Sequence, residues 1–147
     1  MKFLTNSEAV DWCKSNQIPL DERQRPVLAK GLKTFKIPKD AGQKIGTVKN
    51  HFINFKKEDE ILVWIKDWSV WPSSERPHIF YKFRQSYGES RLLKEIPAHV
   101  CSRTEFEDCL SLVTLSVLFL WDCYVIGKMT RNIVFYSHHS LILRGRR

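Results

Sequence analysis

Ile61-Leu62-Val63-Trp64-Ile65-Lys66-Asp67-Trp68 is the stretch on which the fold turns. Rich in β-branched and aromatic residues and set off by the charged turn Lys56-Lys57-Glu58-Asp59-Glu60, it predicts a strand. Trp121 to Ile126, a Gly127-Lys128 turn and Arg131 to Tyr136 predict two further strands joined as a hairpin. Between them, Thr104 and Glu107 form a T-x-x-E capping box in front of Phe106 to Leu120. Apolar residues cover most of that helix's circumference, so it is expected to be central and enclosed on most sides.

Three more helices complete the pattern. Asn6 or Ser7 can cap one through Asn16; Pro38 can start another over Lys39 to His51; Ser73 or Ser74 can cap a third that carries Ile79, Phe80, Phe83 and Tyr87 and closes at Gly88. Glu89 to Cys101 reads as a loop with a short extended piece. The order α-α-β-α-α-β-β predicts an α+β fold, a small antiparallel sheet of at least three strands packed against a central apolar helix with additional helices. No repeat, linker or composition break divides the 147 residues, so one domain is expected, with a flexible basic tail at 141–147.

The composition, 43% hydrophobic and 12% aromatic, can fill a core and excludes disordered, collagen-like and low-complexity classes. The longest uncharged run, thirteen residues from Cys109 to Trp121, falls short of the roughly 20 that cross hydrocarbon. No export signal stands at the start, so a cytoplasmic protein with no membrane partner is expected. Cys13, Cys101, Cys109 and Cys123 lack metal-ligand spacing and predict reduced, buried thiols.

Residues 68–101 concentrate Ser73, Ser74, Glu75, His78, Arg84, Tyr87, Arg91, Glu95 and His99 among aromatics. On a helix Glu75 and His78 are three apart and can face one point, suited to acid/base chemistry. Capping and the helix dipole also account for Glu75 with no site at all. Arg84 and Arg91 carry the fork geometry that clamps a carboxylate or phosphate, although buried arginines also tie loops through carbonyls. Asp122, directly after the apolar helix, needs a donor if buried. His138 and His139 are neighbours and cannot both serve one metal from a regular strand. Hydrolase-elbow, phosphate-loop, dinucleotide and zinc-protease motifs are absent. No metal or cofactor is expected.

With 24 Lys plus Arg against 16 Asp plus Glu, the net charge is +8 and the isoelectric point about 9.5. Eight lysines between 30 and 57 face Asp40 alone, and Arg144, Arg146 and Arg147 close the chain, so the remainder is slightly acidic. Lys30, Lys33, Lys36 and Lys39, every third residue, form a pattern that can follow a nucleic-acid backbone.

Trp71-Pro72-Ser73-Ser74-Glu75, Arg84-Gln85-Ser86-Tyr87-Gly88-Glu89-Ser90-Arg91-Leu92-Leu93, Pro97-Ala98-His99, Trp121-Asp122 and Ser137-His138 resemble a family of small bacterial proteins with no established activity. Ala98 replaces an expected glycine, and His139-Ser140 replaces an expected acidic pair. Taken together, the residues predict a non-catalytic binding or protein-interaction module that uses the 71–99 segment, with Glu75, His78, Arg84, Tyr87, Arg91, His99, Asp122 and His138 as contacts for another protein or a small anionic ligand. The two alternatives are a nucleic-acid binder using the 30–57 lysines and a small enzyme with an acid/base site around Glu75, His78 and Arg84.

Overall fold

The computed structural model describes residues 1–28, 32–67 and 78–146. Within it, Ile61, Leu62, Val63, Trp64 and Ile65 are all at most 1% exposed. Successive strand residues point to opposite faces, so five consecutive buried residues require cover on both sides of the sheet. That strand, β3 (Glu60–Asp67), is one of seven among the described residues; the others are β1 (Lys2–Leu4), β2 (Lys33–Lys36), β4 (Ala98–Ser102), β5 (Asp122–Gly127), β6 (Asn132–Ser137) and β7 (Leu141–Arg146). Four helices accompany them: α1 (Asn6–Ser15), α2 (Ala41–Phe52), α3 (His78–Gln85) and α4 (Phe106–Leu118). All strands join one antiparallel sheet in the order β1-β4-β3-β5-β6-β7-β2. The expected α+β mixture is present, built on a larger sheet than the three strands read from the sequence.

Alternation along β3 sorts the core into two halves. Ile61, Val63 and Ile65 share a cluster with Val48 and Phe52 of α2, Phe80 of α3, and Cys109, Leu112, Val113 and Val117 of α4. Leu62 and Trp64 belong to a second cluster with Ala9, Val10 and Cys13 of α1 and with Ile18. On that face the Trp64 Nε1–H donates to Asn6 Oδ1 at 3.0 Å. All four cysteines are free and buried. Burial pushes the Cys13 thiol up to about 12, which leaves it inert as a nucleophile.

Three expectations change. The tail is a strand through Arg146: β7 pairs with β6 on one side and β2 on the other, because Leu141, Ile142 and Leu143 supply apolar side chains and Ile142 is fully buried. The central helix is less enclosed than its composition predicts. Its buried positions, Cys109, Leu112, Val113, Ser116 and Val117, form one stripe at helical spacing, while Leu110, Leu115 and Leu118 stay half-buried. Its cap also begins earlier. Glu105, not Glu107, reaches back, accepting from the Ser102 N–H at 2.9 Å and the Ser102 hydroxyl at 3.0 Å, since a 3₁₀ turn over Arg103–Glu105 precedes the α-helix. The Thr104 hydroxyl lies 3.0 Å from the Ser102 hydroxyl instead. α1 also starts earlier, with Thr5 rather than Asn6 or Ser7 forming the box with Glu8, whereas α2 starts later, with Asp40 as its cap and Pro38 outside. The cap expected at Ser73 or Ser74 lies outside the described residues.

The β5–β6 turn is held from the side by Glu58, which is 1% exposed. Its carboxylate accepts from the Met129 N–H at 2.7 Å, the Thr130 N–H at 3.1 Å and the Thr130 hydroxyl. Gly127 makes room for it, since a Cβ there would sit 2.3 Å from Glu58 Oε1. Gly127→Ala must therefore evict the carboxylate, and should cost about 1–3 kcal/mol, much the same as Glu58→Ala. In a urea-denaturation double-mutant cycle the pair should be clearly less than additive. Additive losses would show that Glu58 and Gly127 act independently.

Candidate functional site

α3 and the chain that follows it place the residues of greatest chemical interest. Glu75 lies outside the described residues, as does the side chain of His78. Tyr87 donates to Asp108 of α4, which raises its pKa and ties α3 to α4. Arg91 is spent on Glu89: Nε–H to Oε1 at 2.7 Å and Nη2–H to Oε2 at 2.8 Å. Those bonds hold the Glu89 carboxyl down to about 2 against the opposing effect of its burial. Glu95 accepts from the Leu92 N–H at 3.2 Å and closes a turn. Tyr87, Arg91 and Glu95 are thus each engaged in a local hydrogen bond.

Arg84 is different. Its side chain is fully buried, and Nη2–H donates to the Ile96 carbonyl at 2.8 Å. Nε and Nη1 have no hydrogen-bond partner among the described residues. The guanidinium lies 5.5 Å from the Phe3 ring centre, 5.9 Å from that of Phe80 and 5.9 Å from that of Tyr81. Burial pushes its pKa down, and the charge of Glu89 pushes it back up. An arginine stays protonated even so. A buried cation without a bonded carboxylate carries a desolvation penalty of several kcal/mol.

His99 on β4 borders the same aromatics, 5.5 Å from Phe3 and 6.0 Å from Phe80 between ring centres. It is fully buried, its Nδ1 is 3.2 Å from the Val63 carbonyl, and its Nε2 has no partner among the described residues. Trp121, with its ring centre 5.0 Å from that of Phe80, is a third residue with a buried polar atom that has no partner among the described residues, the indole Nε1–H. Helix α3, strand β4 and the residue just before β5 thus deliver Arg84, His99 and Trp121 around one phenylalanine. The sequence singled out the first two but could not show that they are neighbours, because their contact depends on sheet pairing.

A second group gathers at the end of β3. The register of β3 on β5 slips between Ile65 and Asp67, so that Asp67 instead of Lys66 faces Asp122. Lys66 instead places its ammonium 3.9 Å from the Trp64 ring centre. Asp122 Oδ1 accepts from the His138 N–H at 2.8 Å and lies 2.7 Å from His138 Nδ1. Donor atoms of Asp67, Asp122 and His138 all lie within 4.8 Å of one another, close enough to surround one cation. Asp122 and His138 were read from the sequence as separate candidates with no metal expected; Asp67 was missed because a bulge leaves no sequence signature.

Among the described lysines, two of the expected row do not share a face. Lys33 and Lys36 lie on β2, three residues apart, and so point to opposite faces. Lys39 is exposed beyond the strand, and Lys30 lies outside the described residues. Surface hollows of about 380, 530 and 200 Å³ are lined by Met1, Glu60 and Thr104, by Lys57, Arg103 and Met129, and by Asp21, Arg23 and Arg25; Arg84, His99, Asp122 and His138 line none of these three. Among the described residues, no helix is long and apolar enough to cross a membrane. No family model, curated protein or solved structure matches the chain, so the likeness drawn from its second half stands on the quoted residues alone.

His99 has a measurable consequence. Burial, aided by the Arg84 charge, holds its pKa down to about 3 from an ordinary 6.5. Below 6.5 the unfolded chain takes up a proton that the folded chain refuses until near 3. Stability is therefore complete above 6.5 and falls as the pH drops, by up to about 1.4 kcal/mol per pH unit for this group. His51, lowered by burial as well, adds its own slope. Urea midpoints between roughly pH 7.5 and 5 should fall more steeply in the wild type than in His99→Gln; equal slopes would refute a buried neutral imidazole.

Proposed function

We propose that the protein is a non-catalytic binding domain for a small acid, anchored on Arg84. The observation that carries this reading is the buried guanidinium whose Nε and Nη1 are unpartnered while the nearby Glu89 carboxylate is taken by Arg91. A structural arginine normally has its donors satisfied; one held ready for a ligand does not. Complete enclosure suits a small molecule better than a side chain of a protein partner or a nucleic-acid backbone. Acid/base catalysis around Arg84 has less support, because its described neighbours are aromatic rings, a carbonyl and a histidine held neutral.

Replacing a buried ion by an apolar side chain of similar volume is often neutral or stabilising. Arg84→Met should therefore leave the ligand-free protein within about 1 kcal/mol of wild type, or more stable. At constant ionic strength, acetate or phosphate should raise the melting temperature of the wild type relative to chloride and leave that of Arg84→Met unchanged. A loss of about 3 kcal/mol or more in the variant, with no anion effect in the wild type, would make Arg84 a structural tie.

One observation favours a second reading, a divalent-cation site: donor atoms from the ends of β3, β5 and β6 converge at Asp67, Asp122 and His138. Two carboxylates and an imidazole suit manganese, iron or zinc. Titration calorimetry should show one Mn²⁺ or Zn²⁺ per chain, lost in Asp122→Asn. Binding that persists in the variant, or no binding by wild type, would dismiss it.

A further inference from the structure

The unpartnered atoms around Phe80 are not all donors. Nδ1 of His99 is 3.2 Å from the Val63 carbonyl oxygen, and a carbonyl can only accept, so Nδ1 carries the proton. The ring is neutral, held so by burial and by the adjacent guanidinium. A neutral imidazole has one N–H, which leaves Nε2 with a lone pair. The fully buried set therefore consists of the N–H donors of Arg84 Nε and Nη1, the Trp121 Nε1–H donor and one acceptor, His99 Nε2. The Arg84 guanidinium and the His99 ring both lie against Phe3 and Phe80, close enough for the guanidinium charge to act on the imidazole.

A plain anion would satisfy only part of this set. It accepts from Arg84 but offers nothing to His99 Nε2, and a buried acceptor left unpaired lowers affinity. A 2-ammonium group could donate to Nε2, but it would place a second cation beside the guanidinium. A hydroxyl donates without added charge. On the reading that Arg84 anchors a small acid, we propose that the acid is a 2-hydroxycarboxylate: the carboxylate accepts from the Arg84 guanidinium and the neighbouring hydroxyl donates to His99 Nε2.

The test compares acetate, glycolate and methoxyacetate by titration calorimetry at pH 7.5 and constant ionic strength, against wild type, Arg84→Met and His99→Phe. Glycolate should bind wild type at least about tenfold more tightly than acetate, the factor expected when one buried hydrogen bond is gained. Methoxyacetate, whose ether oxygen cannot donate, should lose that advantage; this arm needs no variant to fold. His99→Phe should bring the glycolate-to-acetate ratio close to one and keep acetate binding, and Arg84→Met should abolish both. Nitrogen-15 shifts of His99 should show the Nδ1–H tautomer in the free protein. Equal affinity for acetate and glycolate, or an Nε2–H tautomer, would overturn the hydroxyl assignment and leave the acid-binding reading in place. Binding of none of the three would overturn both and mark the cluster as the seat of enclosed water.

Discussion

Burial of β3 on both faces is the constraint from which the remaining structure follows. Each of its large apolar side chains contributes about 1.5–3 kcal/mol when withdrawn from water, and five in succession can be withdrawn only if α1 covers one face while α2, α3 and α4 cover the other. The sheet must then extend sideways to supply partners for both backbone edges of the strand, β4 on one side and β5 on the other. Just before the strand, Glu58 pins the β5–β6 turn; at its other end the bulge sets Asp67 against Asp122. One strand thus fixes the core, a turn and a candidate site.

The bulge shows how little backbone change alters chemistry. In an unbroken register Lys66 would face Asp122, making a cation–anion pair of modest value on a half-buried surface. The extra residue turns the lysine towards Trp64 and puts a second carboxylate opposite the first. Two carboxylates brought together raise the local demand for positive charge or hydrogen-bond donors, and the His138 backbone N–H in the β6–β7 turn donates to Asp122. A regular strand would be expected to avoid such an arrangement.

The sequence reveals elements whose signal is local. β3, the β5–β6 hairpin and the helices are legible because apolar spacing and caps lie within a few residues of one another. β1 and β2 are three and four residues long, and their only evidence is a partner far along the chain. β7 is hidden by its arginines and by a turn that uses Ser140 at φ +61°, a left-handed position usually marked by glycine or asparagine. The α4 cap was misplaced because Ser102-x-x-Glu105 and Thr104-x-x-Glu107 overlap, and only the end of β4 at Ser102 decides between them. At the site, residue types were legible but neighbours were not. Arg84, His99, Asp122 and His138 stood out as polar residues among aromatics; which touched which depended on register.

The overall charge of +8 points away from the charge that matters most. Lys33 and Lys36 lie on β2, at one end of the sheet order, where lysines keep an open edge from pairing with another chain. In water each exposed charge is screened and individually worth little. Arg84 contributes only one unit to the total, yet it sits where solvent is excluded and its field is least screened. A net charge cannot distinguish these cases, because it counts ions without their solvation. The burial of a single guanidinium, with donors still open, is therefore a stronger pointer to a ligand than the whole lysine-rich segment.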